Sequence, residues 1–211
     1  MTDRFTILGR GRAGRALAAA WGERVTLLSH EARPEGLVLL AVPDRHVAEL
    51  AGCFPGRCVH LAGSLDLPGV PCAHPLTSFD GEARDWTGTP LAVTGPVPDA
   101  MRRAFGALGF APFDLPAEFK PLYHAAAVLT SGHSATLWLG AEALLRAQGI
   151  ALPGRGLLPL AEATLRNIEG HGSAGRTGPF ARRDEATIRR DAAALPPAWR
   201  EIFLQLGAVL D

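Results

Sequence analysis

Lysine is almost missing from this chain. Of its 21 basic residues, 20 are arginine and one is Lys120. Excess charge of either sign is also missing, with 21 basic against 21 acidic residues. That balance gives no basic surplus for a nucleic acid, so no nucleic-acid partner is expected. No run of about 18 apolar residues occurs without a charge, which excludes a helical membrane span and a membrane partner. Cysteine is sparse: Cys53, Cys58 and Cys72 form an odd set without a CxxC pair. Reduced thiols are expected, with no metal site. Met1-Thr2-Asp3-Arg4 runs straight into a strand-like segment and does not resemble a secretion signal, so a cytoplasmic protein is expected. Disordered and low-complexity classes are excluded by a 47% hydrophobic composition with 20% charged residues.

The solitary lysine has a chemical consequence. Guanidinium stays charged at any useful pH, whereas an ammonium gives up its proton when desolvated. Lys120 is therefore a candidate for proton transfer, against the alternative of an incidental surface residue.

Short apolar runs alternate with turn signals through the first half of the chain. Phe5–Leu8, Val25–Leu28, Leu37–Val42, Cys58–Leu61, Val70–His74, Pro90–Thr94 and Ala111–Leu115 read as strands. Their lack of polar alternation fits parallel strands covered on both faces. Helices are expected after the Gly9–Gly14 turn through Trp21, over Asp44–Ala51 and over Asp99–Leu108. Ser29–Gly36 is too short for a helical crossover, which takes about a dozen residues, so a loop is expected there. Beyond Pro116 helix formers dominate. One long helix is expected from Glu118 to Gln148, then helices over Leu157–Glu169, Asp184–Leu195 and Ala198–Leu210, with a glycine-rich loop over Gly170–Pro179. The expected fold is α/β, a Rossmann-like mostly parallel sheet over residues 1–116, followed by an all-α C-terminal domain over residues 117–211.

Gly9-x-Gly11-x-x-Gly14 lies between the first strand and the first helix. In that context the first glycine makes a tight turn and the second lets backbone approach a pyrophosphate. The third allows close helix packing, with phosphates at the helix N-terminus. Gly9, Arg10, Gly11, Arg12, Ala13 and Gly14 are thus cofactor-binding candidates. About 20 residues on, where an acidic residue would hold a ribose hydroxyl, the chain reads Ser29-His30-Glu31-Ala32-Arg33. A hydroxyl beside Arg10, Arg12 and Arg33 suits a 2′-phosphate, which favours NADP over NAD, with Ser29, His30 and Arg33 as ligands. Glu31 keeps NAD open. Ala41, Val42 and Pro43 would run beside the ribose and nicotinamide, and Asp44 is either a ligand contact or a helix N-cap.

His74, followed by Pro75 at the carboxyl edge of the sheet, is placed to orient a substrate or else to pack a loop. On the long helix, Lys120, His124 and Ser131 fall within about 40° of one another at about 100° per residue. An ammonium and an imidazole on one stripe lower each other's proton affinity, which suits acid/base work on a carbonyl or imine. His133 points elsewhere and reads as structural. Arg182 and Arg183, after a Gly-Pro turn, are either anion ligands or solvated charges.

Gly9–Gly14, Ala41–Asp44, His74–Phe79, Tyr123–Ala127 and Thr177–Arg182 together resemble a bacterial family that joins a Rossmann-like NADP-binding domain to a helical domain of uncharacterised function. The helical part is similar to the C-terminal domain of 6-phosphogluconate dehydrogenase. More distantly, the chain resembles ketopantoate reductase and pyrroline-5-carboxylate reductase. The wider β-hydroxyacid dehydrogenase group carries a Lys and an Asn one turn apart on this helix. Lys120 matches the Lys, His124 stands in place of the Asn, and Ser131-Gly132 stands where the family has Ser-Asn. The resemblance implies an NADP-linked oxidoreductase that dimerises through its helical domain.

The expected function is hydride transfer to or from a small carbonyl, imine or hydroxy acid bound between the domains. Lys120 would be the acid/base, His124 its partner and His74 the orienting group. A non-catalytic dinucleotide-binding sensor or regulatory protein is the alternative, since a fold does not dictate an activity.

Overall fold

Phe5–Leu8 has no polar side chain but Thr6, and all four residues are buried; they form β1. In the computed structural model of the chain, which describes residues 4–209, this strand is flanked by β2 (Val25–Leu28) and β3 (Val38–Leu40), both parallel to it. β4 (Cys58–His60), β5 (Cys72–Pro75), β6 (Pro90–Thr94) and β7 (Ala111–Asp114) complete a seven-stranded sheet. Its order is β2-β1-β3-β4-β5-β6-β7. All neighbours pair in parallel except β5 and β6, which are antiparallel. The mostly parallel Rossmann-like sheet expected from the sequence is thus present, with one reversed pairing that the apolar runs did not specify.

Successive residues of a strand face opposite sides of a sheet, and the core divides accordingly. Ile7 and Leu39 join one cluster with Leu17 and Trp21 of α1 (Arg12–Trp21) and Met101 and Phe105 of α3 (Asp99–Ala107). Leu8, Val38 and Leu40 join a second with Val47 and Leu50 of α2 (Asp44–Cys53). Both faces are covered, as a parallel sheet requires. Between β2 and β3 the crossover contains no helix, as its length predicts.

The expected single helix over 118–148 is broken into parts. A 3-10 turn at Ala117–Phe119 leads into α4 (Lys120–Val128), whose Pro121 sits in the first turn. A π-helical turn over Leu129–His133 then joins α4 to α5 (Ser134–Ala147). The hydroxyls of Thr130, Ser131 and Ser134 donate to the carbonyls of Ala126, Ala127 and Leu129. Hydroxyls that take helix carbonyls in this way loosen the regular ladder, and π turns recur at functional sites.

By its internal contacts the chain divides after Ala135 into two compact units. The sequence placed a boundary at 116/117; beyond it, Lys120 and Tyr123 of α4 hydrogen-bond to Ala62 and His74. The second unit holds the rest of α5, α6 (Leu158–His171), α7 (Glu185–Ala194) and α8 (Pro197–Ala208). Asp184 caps α7, its Oδ1 accepting from the Thr187 N–H at 3.1 Å. The expected glycine-rich loop is shorter than its sequence, because α6 runs to His171 and a 3-10 turn follows over Gly172–Gly175. Phe180 and Phe203 pack edge to face, and Trp199 lies against Gly140. No helix among the described residues is long and apolar enough to cross a membrane.

Candidate active site

The β1–α1 turn has the geometry its glycines imply. Gly9 has φ +117°, and a Cβ there would strike the Ala41 carbonyl. A Cβ on Gly14 would strike the Gly9 carbonyl, so helix and strand meet at van der Waals distance. Gly11 differs: nothing lies within 4 Å of its missing side chain. No side chain caps α1 at Gly11, which leaves the first N–H groups of that helix without a side-chain acceptor. The turn stands where β2 and β3 diverge from β1, the switch point at which doubly wound sheets bind ligands. A cavity of about 320 Å³ opens here, bordered by Gly11–Ala13, Ala41–Asp44, Ala62 and His74. Open space at the second glycine and unsatisfied helix donors fit a dinucleotide pyrophosphate.

At the adenosine end the predicted residues are arranged unevenly. Arg10, Arg12 and His30 are exposed. Arg33 is exposed too, but its Nη1 donates to the carbonyls of His30, Glu31 and Ala32. Ser29 Oγ donates to Glu31 Oε2 at 3.4 Å. The His30 ring stacks on His46 of α2 with centroids 5.8 Å apart. Asp44 does not cap α2: Pro43 holds the cap position, and Asp44 Oδ2 accepts from Ser64 Oγ at 3.1 Å.

His74 lies within β5 rather than beyond it, held extended ahead of Pro75. Its Nδ1 is 2.9 Å from the Tyr123 hydroxyl. His124, one residue on, brings its ring centroid to 6.2 Å from that of His74. Burial, with help from His124 and Lys120, lowers His74 to a pKa of about 4. Burial raises Tyr123 to about 12. Near neutral pH the imidazole is therefore neutral and the phenol protonated. Buried Gly63 lies against both imidazoles, since a Cβ there would come within 2.8 Å of His74 Nε2 and 2.9 Å of His124 Cδ2. A second cavity, of about 480 Å³, is walled by His74, Tyr123, His124 and the stretch of α4 and the π turn through Ser131. It shares His74 and Thr77 with the cavity at the glycine turn.

Lys120 stands apart from its expected stripe partners. His124 and Ser131 line the second cavity, whereas Lys120 lines neither cavity and is only 1% exposed. Its Nζ donates to the Ala62 carbonyl at 3.3 Å, which also accepts from Cys72 Sγ at 3.3 Å. Burial raises the Cys72 thiol, with Lys120 opposing. Beside them lies His60, fully buried at the end of β4. Its Nδ1 accepts from the Ala62 N–H at 3.2 Å, while Nε2 has no partner. Burial and then the Lys120 charge lower its pKa to about 4. A buried polar layer of His60, Cys72 and Lys120 thus grips residue 62 through both its N–H and its carbonyl.

Sequence reasoning placed Tyr123 at the start of the long helix without a role, and did not single out Gly63 or His60. For Tyr123 a signal existed: it is the one tyrosine of the chain, three residues from the one lysine. His133, expected to be structural, is exposed, as are Arg182 and Arg183 of the second unit. Among the described residues no group of three or more His, Cys, Asp or Glu side chains could hold a metal ion.

Residues 89–209 match the family described as Domain of unknown function (DUF2520). No curated protein matches the chain. Among solved structures it is similar to a candidate NADP oxidoreductase of Bacteroides fragilis, with TM-score 0.78, 20% identity and 98% of both chains covered. A Thermotoga maritima protein, TM1727, gives TM-score 0.71 at 18% identity, covering 98% of this chain and 96% of that one. The reductive aminase of Aspergillus terreus, in complex with NADPH, cyclohexanone and allyl amine, gives 0.64 at 15% identity, covering 98% and 92%. Likeness at such identities establishes the fold.

Proposed function

The chain belongs to the DUF2520 family, and from that premise we propose that it is an NADP(H)-dependent oxidoreductase acting on a small carbonyl, imine or hydroxy acid. The observation that carries this reading is the meeting of two cavities at His74 and Thr77, one on the glycine turn and one on the His74–Tyr123 pair. Likeness to a reductive aminase bound to NADPH adds support.

NADPH, when bound, supplies a hydride. The residues to hold it are Gly9–Gly14 at the pyrophosphate, Ala41, Val42 and Pro43 along the strand edge, and Ser29, His30 and Arg33 with Arg10 and Arg12 at the adenosine end. The arginines favour NADP over NAD.

The proton falls to the His74–Tyr123 pair. Its two groups share one hydrogen bond at 2.9 Å, so one of them always has a proton to offer the cavity. With His74 Nδ1–H donating to Tyr123, the phenol donates to the substrate oxygen or nitrogen. As that proton leaves, Nδ1–H restores the phenol and Nε2 takes a proton from water. His124 packs beside the pair. Lys120, out of the cavities, acts through the Ala62 carbonyl as a positioning residue, in place of the acid/base role its composition suggested.

Titration of the protein with NADPH and NADH, followed by cofactor fluorescence, tests the reading, with carbonyl and imine turnover read alongside. NADPH is expected to bind more tightly than NADH, and Tyr123→Phe to keep that binding while lowering turnover about 100-fold. No NADPH binding at ~1 mM, an affinity weaker than about 4 kcal/mol, sinks it. Tight binding with no turnover across the panel would favour the sensor instead. The reading also includes a homodimer through the helical unit, because α5 and α6 contain no buried residue. Sedimentation equilibrium giving a monomer at micromolar concentration would remove that part.

A further inference from the structure

We infer that the substrate of this site is an uncharged carbonyl or imine compound with an apolar substituent, not a carboxylate or phosphate. This rests on the oxidoreductase reading and narrows it, removing the hydroxy acids from its substrate class.

The cavity beside His74 holds about 480 Å³, a size suited to a small molecule. No Arg, Lys, Asp or Glu is among the described residues that line it. An anion brought there would need its charge matched by something else. Lys120 does not serve, being sealed at 1% exposure with its Nζ on the Ala62 carbonyl. His74 does not serve at neutral pH, since burial keeps its imidazole neutral.

The other polar groups of the wall are the hydroxyls of Thr77, Ser78, Thr130 and Ser131 and the ring of His124. Thr130 Oγ1 gives its proton to the Ala126 carbonyl at 2.9 Å, and Ser131 Oγ gives its own to Ala127 at 2.8 Å. Both hydroxyls therefore face the cavity as acceptors, which repel a carboxylate oxygen. A carboxylate entering here meets no Arg or Lys on the wall to pair with, which costs it part of its solvation without a matching cation. An uncharged C=O or C=N needs one donor, which the His74–Tyr123 pair supplies. The walls given by Leu76, Ala126, Ala127 and Val128 complement a hydrocarbon group.

Cyclohexyl methyl ketone and cyclohexylglyoxylate form a matched pair, alike except that a carboxylate replaces the methyl group. The cofactor is titrated first, then each compound is titrated into the NADPH-loaded protein and binding is read by saturation-transfer NMR. The ketone is expected to bind more tightly by about tenfold or more. Ser131→Arg, at an exposed wall position, is expected to narrow or reverse that preference by supplying the missing cation. Equal or tighter binding of the acid to the unaltered protein overturns the inference, as does failure of the ketone to bind at millimolar concentration. Failure of NADPH itself to bind defeats the oxidoreductase reading, and the inference with it, at the first step.

Discussion

β3 of the first unit buries all three of its residues, Val38, Leu39 and Leu40. The 14-residue helices α5 and α6 bury none of theirs, although α6 carries Leu160 at 67% exposure and Leu165 at 59%. Apolar residues therefore do different work in the two regions. In the sheet they seal a core so complete that polar groups caught inside it must find partners, as Lys120 and the Nδ1 of His60 do. In the helices they remain as surface, as Leu160 and Leu165 do. The candidate chemistry sits on the sealed side, where low dielectric holds His74 neutral. The proposed dimer would use the open side.

The largest effect that could break this contrast comes from truncating one residue of each kind. Phe105→Ala, in the sheet core, is expected to cost about 3–5 kcal/mol whatever the protein concentration. Leu160→Ala is expected to change the stability of a dilute monomer by less than about 0.5 kcal/mol. If α6 pairs with a second copy, Tm of the unaltered protein rises with protein concentration, and Leu160→Ala weakens that dependence. Chemical denaturation of both variants across a hundredfold range of concentration separates the cases. A concentration-independent loss of several kcal/mol in Leu160→Ala would show that the helical face is core after all.

Acid sharpens the contrast from the polar side. His60 and His74 have pKa values of about 4 in the folded protein against 6.5 ordinarily. Between those values the unfolded chain takes up protons that the folded one refuses, so stability falls as pH drops through that window and is fully present above it. For His60, fully buried, the loss is on the order of 3 kcal/mol by pH 4. A stability that is flat from pH 7 to 4 would mean the two imidazoles are not sealed.

Legibility from sequence followed the same divide. The strand–turn–helix around Gly9–Gly14 was readable because its parts are neighbours in the chain and Gly9 and Gly14 each answer a local demand. The missing β2–β3 helix was readable from length alone. Lys120 stood out by composition, yet its burial was not readable, because the carbonyl it holds lies 58 residues away at Ala62. The His74–Tyr123 bond spans 49 residues and depends on the register of β5 and the start of α4 together. Helical periodicity placed Lys120, His124 and Ser131 on one stripe, but a stripe does not say which end of it sinks into a core. The reversed β6 left no mark, since parallel and antiparallel buried strands share the same apolar run.

Gly63 and Gly52 give a comparison of smaller size within the first unit. Gly63→Ala must push aside two imidazoles, at a cost of roughly 1–3 kcal/mol. Gly52→Ala, on exposed α2 with nothing within 4 Å, should instead stabilise by about 0.4–1 kcal/mol. Denaturant midpoints measure both. Equal and favourable shifts would mean that the two histidines are not packed on residue 63.

Tyr123→Phe makes a modest change in stability and the most informative one in chemistry. Tyr123 is half-buried and loses one hydrogen bond, so about 0.5–1.5 kcal/mol is at stake. The ring remains to pack against His74 and Phe113, whose centroids lie 5.5 and 6.0 Å from it. What disappears is the hydroxyl paired with His74 Nδ1, whose orientation is coupled to which nitrogen of His74 carries the proton. In the intact protein 15N NMR of His74 should show one dominant neutral tautomer, and in Tyr123→Phe a mixture. If the tautomer stays fixed without the phenol, another group orients His74, and the proton path runs through that group instead.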